Sequence, residues 1–311
     1  MYSGGRFHAW LCARGAWSLS VVWWTRQTPK GAKAMKVFIS VDLEGISCVV
    51  CPVETQLAGL EYEKARVLMT AEASAAAEGA RAAGASEVVV ADGHGHMRNL
   101  LPEALPDYVR LVRGANRPWS MMQGLNSDVD AVLMIGYHAQ AGTAGGVMNH
   151  TFLGRVIRAV HLNGIAVGET GFNAALAGSL DVPVVMVSGD QALSNEVAEL
   201  LPWAERVVVK EGITSWSASS LTPEKAREAI RNGVRAALAR LSHMQPLRVV
   251  APVVLQVDFF RPLQADLAAI VPGVTRAGSV TVGFTGADMA EVNRALQTIL
   301  GVTVATNEGY G

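Results

Sequence analysis

The chain has 311 residues, half of them hydrophobic, and a formal net charge of -1, which is length for one large domain or two ordinary ones with a substantial core. The near-neutral charge argues against a general nucleic-acid or membrane-surface partner. Three cysteines are too few for a disulfide framework, no apolar run approaches the roughly 18 residues of a membrane span, and a cytoplasmic location is expected.

Residues 1–34 hold no Asp or Glu, five Lys or Arg and four of the seven tryptophans. Their apolar run, Ala16 to Trp24, is followed by Arg26, Lys30 and Lys33, a poor secretory signal because a cleavage region should be small and uncharged. An extension outside the fold is expected there, with a short basic targeting or docking segment as the alternative. Met35 then leads into Val37–Val41, a β-branched and aromatic run that reads as a buried strand. It ends in Asp42 and Glu44, with Gly45 turning the chain away. In open α/β sheets, ligands gather outside the carboxyl ends of the strands, so this pair stands where a site is expected. Two solvated turn acids are the plainer alternative. Cys48 and Cys51 form a C-x-x-C, but no second ligand pair follows at zinc-finger spacing. They read as loop cysteines, with a redox role left open.

Glu61–Ala83 is rich in Ala and Glu and stops at Gly84, a helix. Glu87–Ala91 is the next buried strand, and it ends in DGHGHMRNL. Strand, helix and strand form a right-handed parallel crossover, which returns Asp92, His94 and His96 to the edge that carries Asp42. Ala131–Ile135 is a third strand, followed by His138 and by the glycine-rich loop AGTAGGVMNHT with His150. Val156–Leu162 and Ile165–Val167 flank Asn163-Gly164, a hairpin signal. Glu169 opens the small-residue helix ETGFNAALAG, and Pro183–Val187 is another strand. From Arg206 onward the rhythm changes: a strand at 206–209, a helix at Thr222–Leu241 opened by Thr222-Pro223, strands at 248–259 and 279–284, and a helix at Ala287–Leu300. The expected fold is α/β: a three-layer, mostly parallel sheet domain over 35–205 and a second, smaller α+β domain over 206–311.

Asp42, Glu44, His94, His138 and Glu169 come from four segments, three after strands and one opening a helix. Two imidazoles and three carboxylates suit zinc, with manganese and iron open. One catalytic zinc normally takes three protein ligands and a water. Five ligands therefore fit two ions sharing a carboxylate, with three carboxylates and a hydroxide balancing the charge of two Zn²⁺. His150, in a loop whose glycines allow close approach to a substrate, can move a proton or hold an oxyanion; a nucleophilic role stays open.

The segments SVDLEGIS, DGHGHMRNL, IGYHAQAGTAGGVMNH and VGETGFNA, in that order, resemble the zinc-dependent D-aminopeptidases of the dipeptide-transport (DppA) type. The likeness starts at about Met35 and reaches VPGVTRAGSVTVGFTGADM near the C-terminus. It implies that Asp42 bridges two zincs, Glu44 and His94 complete one position, His138 and Glu169 the other, and that His150 is catalytic. It further implies short peptides with an N-terminal D-residue as substrates and a homo-oligomer, a decamer enclosing a chamber. His96, Cys48 and Cys51 depart from the pattern. Two rival readings are weighed against it. A two-metal nuclease would need an acid five residues after one of the histidines, and Asn99, Leu101, Thr143 and Arg155 stand there instead. A non-catalytic, metal-stabilised protein linked to peptide uptake would have a closed site, which the glycine-rich loop opposes.

Overall fold

The computed structural model describes residues 34–307; residues 1–33 of the expected extension, Cys12 among them, lie outside the described residues. The chain begins with β1 (Met35–Val41), then a short helix α1 (Pro52–Thr55) and the long α2 (Tyr62–Ala82), which stops before Gly84 at φ +96°. There follow β2 (Ala85–Asp92), β3 (Val109–Val112), β4 (Ala131–Tyr137), the hairpin β5 (Ile157–Leu162) and β6 (Ile165–Val167), α3 (Glu169–Gly178), β7 (Val184–Asp190) and α4 (Gln191–Leu200). The last third holds β8 (Glu205–Thr214), β9 (Ser217–Ser220), α5 (Pro223–Ala239), β10 (Val253–Phe259), α6 (Pro262–Ala268), β11 (Thr275–Arg276), β12 (Thr281–Gly286) and α7 (Met289–Thr303).

Two sheets result. The larger has the order β3-β2-β1-β4-β7-β8-β9 and is parallel apart from β9. The smaller, β11-β12-β10-β5-β6, is antiparallel throughout. Alternate residues of β1 serve different cores. Val37, Ile39 and Val41 meet Met69, Ala73 and Ala76 of α2 and Ile230 and Val234 of α5. Phe38 turns to the other face, into a core shared with α3, α7 and the inner face of the small sheet. β4 is buried along its whole length, as a central parallel strand must be. β10 instead alternates buried and half-exposed residues, the mark of a sheet covered on one face.

The two sheets do not separate at residue 205. β8, β9 and α5 complete the large sheet and its helical layer, whereas the β5–β6 hairpin pairs with β10 in the small sheet. The strand expected from residue 248 begins at Val253; Pro252 has no N–H to give a ladder. Among the described residues, no helix is long and apolar enough to cross a membrane.

The strand order reverses between β1 and β4. β2 lies on one side of β1 and β4 on the other, so the loops leaving β1 and β4 part at that point. Such a switch point opens a crevice at the carboxyl edge. The register sets Val41, the last residue of β1, beside Asp92, the last of β2, and beside Ile135, two residues before the end of β4.

Candidate metal centre

Asp42 and Glu44 leave β1 at this crevice, and the backbone at the end of β4 crosses directly over them. The Gly45 N–H donates to the Gly136 carbonyl at 2.7 Å. A Cβ on Gly45 would lie 1.8 Å from the Tyr137 carbonyl, and one on Gly136, at φ +69°, would lie 2.4 Å from the Asp42 carbonyl. Only glycine permits this crossing, and the crossing is what sets His138 against Asp42. His94 enters from the loop after β2. Asp92, at the strand end, is turned away from the cluster. Its carboxylate accepts from the Asn99 N–H (2.6 Å), the Leu100 N–H (2.7 Å) and the Asn99 side-chain amide (2.7 Å), closing the His94 loop on itself. Glu169 is the first residue of α3, and its Oε1 accepts the Phe152 N–H at 2.7 Å, tying the helix start to the His150 loop.

Six side chains therefore meet. His94 Nδ1 lies 2.9 Å from Glu44 Oε2 and 3.3 Å from Asp42 Oδ1. His138 Nε2 lies 3.5 Å from Asp42 Oδ2 and 3.5 Å from Glu169 Oε1. His150 Nε2 lies 3.6 Å from Glu169 Oε1, and its ring stacks on His138 with centroids 4.1 Å apart. Ligand atoms of His138, His150 and Glu169 all lie within 4.8 Å of one another, as do those of Asp42, Glu44 and His138.

The other nitrogen of each ring faces a backbone carbonyl. His94 Nε2 faces Thr55 O (2.8 Å), His138 Nδ1 faces Ala139 O (3.0 Å) and His150 Nδ1 faces Met148 O (2.9 Å). A carbonyl only accepts, so those nitrogens carry the protons and the lone pairs point at the carboxylates. A lone pair facing carboxylates needs a proton or a metal between them. His138 Nε2 is buried and has no hydrogen-bond partner. Two ligand atoms held about 2.0–2.1 Å from one tetrahedral zinc lie about 3.4 Å from each other. Four of the five spacings, at 3.3–3.6 Å, suit that arrangement better than they suit direct hydrogen bonds, whereas His94 Nδ1 and Glu44 Oε2, at 2.9 Å, are at hydrogen-bond distance. The donor set thus fits a divalent cation.

The electrostatics agree. Burial and then the Glu44 charge push Asp42 up to about 7. Burial opposes the charge on Glu44 and Glu169, yet His94 holds Glu44 well below the usual carboxylate range and His138 lowers Glu169. Burial likewise opposes protonation of His94 and His138, but Glu44 raises His94 well above an ordinary imidazole, and Glu169 with Asp42 carries His138 to about 10. Protons occupy the places a metal would take. His150 differs: burial, reinforced by His138, pulls it down, so it is neutral at pH 7.

Asp42, Glu44, His94, His138, Glu169 and His150 all stand in this cluster. His96 is exposed and joins nothing. Cys48 and Cys51 are free thiols, with Cys48 Sγ directed at the Leu221 carbonyl (3.4 Å) and Cys51 Sγ at Glu54 (3.5 Å); neither joins the cluster. Three supporting residues carried no sequence signal of their own. They are Thr55 at the end of α1, Asn99 as the hub of the His94 loop, and Glu196 on α4, whose Oε2 accepts the Gln140 N–H at 2.8 Å just after His138.

A mostly parallel α/β sheet with a buried carboxylate–imidazole cluster at its switch point defines a metallohydrolase class of site. Over residues 35–298 the chain matches the M55 peptidase family, D-aminopeptidase, and it belongs to that family: it is a D-aminopeptidase homologue, a hydrolase. It is 35% identical over 274 residues to a D-aminopeptidase of Bacillus subtilis (strain 168), covering 88% of this chain and 99% of the relative. It is also similar to the solved structure of the Zn-dependent D-aminopeptidase DppA from Bacillus subtilis, a self-compartmentalizing protease. The TM-score is 0.86 at 34% identity, over 89% of this chain and all of that one.

Proposed function

We propose that this protein hydrolyses short peptides or amides with an N-terminal D-amino acid, at a centre of two zinc ions. The observation that carries the reading is the buried Nε2 of His138, which makes no hydrogen bond yet is set among three carboxylates and two further imidazoles. Asp42 would serve both ions through its two oxygens, which face His94 on one side and His138 on the other. Glu44 and His94 would complete one position, and His138 and Glu169 the other. Zinc so held supplies Lewis-acid polarisation of a peptide carbonyl and an acidified water.

The residues of the chain do the rest. The backbone carbonyls of Thr55 and Ala139 fix two rings so that the lone pairs stay turned inward. His150, 23% exposed, is the imidazole most open to a substrate. Its Nδ1 proton is committed to Met148 O, leaving Nε2 free to take a proton during attack and return it to the departing amine. Its lowered pKa suits a group that must begin neutral. The relative's self-compartmentalizing character supports a homo-oligomer here; the decamer is what the family resemblance implies, with a chamber that would admit short peptides and exclude folded protein. We further place the protein in the cytoplasm, in keeping with free thiols at Cys48 and Cys51.

A panel of D- and L-aminoacyl amides, assayed with and without chelator, tests the proposal. D-selective, chelator-sensitive turnover is expected; an L preference would overturn the substrate assignment and leave the metal site standing. A second reading of His150 is favoured by its placement within 4.8 Å of ligand atoms of His138 and Glu169: it would be a ligand itself. The metal content of His150→Ala decides between them.

A further inference from the structure

Lys210 lies on β8 and is 2% exposed, although the run ERVVVKEG around it looks like a strand ending in solvent. Its ammonium donates to three backbone carbonyls of one loop: Glu44, Ile46 (2.9 Å) and Val49 (2.5 Å). That is every proton an ammonium has to give. We propose that Lys210 is a positioning residue for the metal centre, holding the 44–49 loop in the form that presents the Glu44 carboxylate to His94 and Asp42. The inference rests on the reading of that cluster as a zinc site.

The loop has little of its own to hold this shape. Its internal backbone bonds are Ile46 N–H to Leu43 O and Val49 N–H to Ile46 O, both 3.2 Å. The Glu44, Ile46 and Val49 carbonyls converge on one point; Ile46 O also accepts the Val49 N–H, but for Glu44 O and Val49 O the ammonium is the donor, and a buried carbonyl with no donor is costly. A compact charge with three donors suits that point; the planar fork of an arginine does not. Groups from neighbouring elements finish the clamp. Glu72 of α2 accepts the Ser47 N–H at 2.9 Å, and the Leu221 carbonyl, just past β9, accepts from Ser47 Oγ at 2.5 Å. Burial pulls the ammonium down to about 8, and the neighbouring carboxyl groups of Asp190, Glu72, Glu44 and Glu54 offset that only in part. Lys210 Nζ is spent on main chain and is not aimed at the reacting region, which makes it a support and not a proton carrier.

The same hairpin steadies the opposite wall. The Ser215 carbonyl, in the β8–β9 turn, accepts the Met148 N–H at 2.8 Å, and Met148 O in turn faces His150 Nδ1. Gly212 of β8 abuts the glycine-rich loop so closely that a Cβ would lie 2.1 Å from Gly145 O. One hairpin therefore supports both the Glu44 loop and the His150 loop.

The test uses the full chain, wild type and Lys210→Met, stripped of metal and reloaded in competition with a chromophoric zinc chelator. Loss of a residue that orients a ligand usually costs about 10–100-fold in metal affinity. Lys210→Met should weaken one of two zincs by that factor and spare the other, with kcat restored within a few-fold at saturating zinc. In the metal-free proteins, amide exchange should rise in residues 43–51 and stay unchanged in β4. Unchanged affinity for both zincs overturns the proposal. So does equal weakening of both with faster exchange throughout the sheet, which would make Lys210 a structural strut only. Should Lys210→Met fail to accumulate as folded protein, Lys210→Arg keeps the charge but cannot aim three donors at one point, and should weaken the same single zinc measurably, by up to about tenfold; unchanged affinity for both zincs, or weakening of the other zinc instead, overturns the proposal. A wild-type chain that takes up no zinc would sink the metal-site reading itself, a result distinct from the others.

Discussion

The two halves of the cluster are built differently. The Asp42–Glu44–His94 half comes from neighbouring strand ends, β1 and β2, whose register sets them level. Its support is local and polar: the Asp92–Asn99 network under His94, and Lys210 and Glu72 under Glu44. The His138–Glu169–His150 half is gathered from the end of β4, a long glycine-rich loop and the first turn of α3. That helix reaches the site only after the chain has left for the small sheet as the β5–β6 hairpin. The difference shows what the second sheet does for the centre. It offers none of the six side chains, yet it returns Glu169 to the large sheet's edge. The first half should therefore respond to changes in nearby loops, the second to changes in how the sheets are joined.

The largest expected effect comes from the residue shared by both halves. Asp42→Ala should abolish measurable turnover, because it takes a carboxylate oxygen from His94 and another from His138. If turnover survived within tenfold, the halves would be independent and the shared-ligand account would fail. His150→Ala comes next. Turnover should fall by about 10²–10⁴, the usual worth of a placed acid–base group, while zinc stays near two per chain. Zinc loss as severe as that of a ligand variant would move His150 into the second half as a ligand.

Much of the site is legible in the sequence, for a physical reason. β-branched runs buried on both faces mark parallel strands, and the residues just past them must fall at one edge; Asp42, His94 and His138 are such residues. Glu169 is legible because the helix it opens, ETGFNAALAG, coincides with α3. The supports are not legible. Lys210 follows an apolar run as a solvated lysine would, and only the arrival of three carbonyls from 161–166 residues away makes it a buried one. The sheet to which β5 and β6 belong is equally hidden. The strand that joins the hairpin to its sheet, β10, pairs with β5 from far downstream in the chain, and a hairpin reads the same in either sheet. α4 is hard to read because only Ala192, Leu193 and Val197 of it are buried, a sparse apolar stripe, and its clearest local signal is one cap, Asp190, which accepts the Leu193 N–H at 2.8 Å.

Acidity should separate the metal-loaded from the metal-free centre. Raised pKa values keep His94 and His138 protonated in the metal-free protein at pH 7, with His138 at about 10. Zinc must displace both protons, so affinity falls as pH falls and rises toward pH 10. One displaced imidazole proton at each position predicts about a tenfold gain in affinity per zinc from pH 7 to pH 8, about 10²-fold for filling both, with matching proton release in weakly buffered calorimetry to which Asp42, at about 7, adds a fraction. A pH-independent affinity across that interval would mean that the rings are already neutral.

The smallest effect tests the local support of the first half. Asp92→Asn cannot accept all three hydrogen bonds that now close the His94 loop, and should cost about 1–3 kcal/mol in chemical unfolding. Zinc at the His94 position should weaken by about tenfold and the other position should keep its affinity. Equal weakening of both would erase the contrast between the halves.

The central claim is that one carboxylate joins two metal positions. Zinc titration of metal-free wild type and of Asp42→Ala, read by calorimetry and by elemental analysis after dialysis, tests it most directly. Two zincs per wild-type chain and close to none retained by Asp42→Ala is the predicted result, with Glu44→Ala and Glu169→Ala each keeping about one. An Asp42→Ala chain that holds one zinc at wild-type affinity would contradict it.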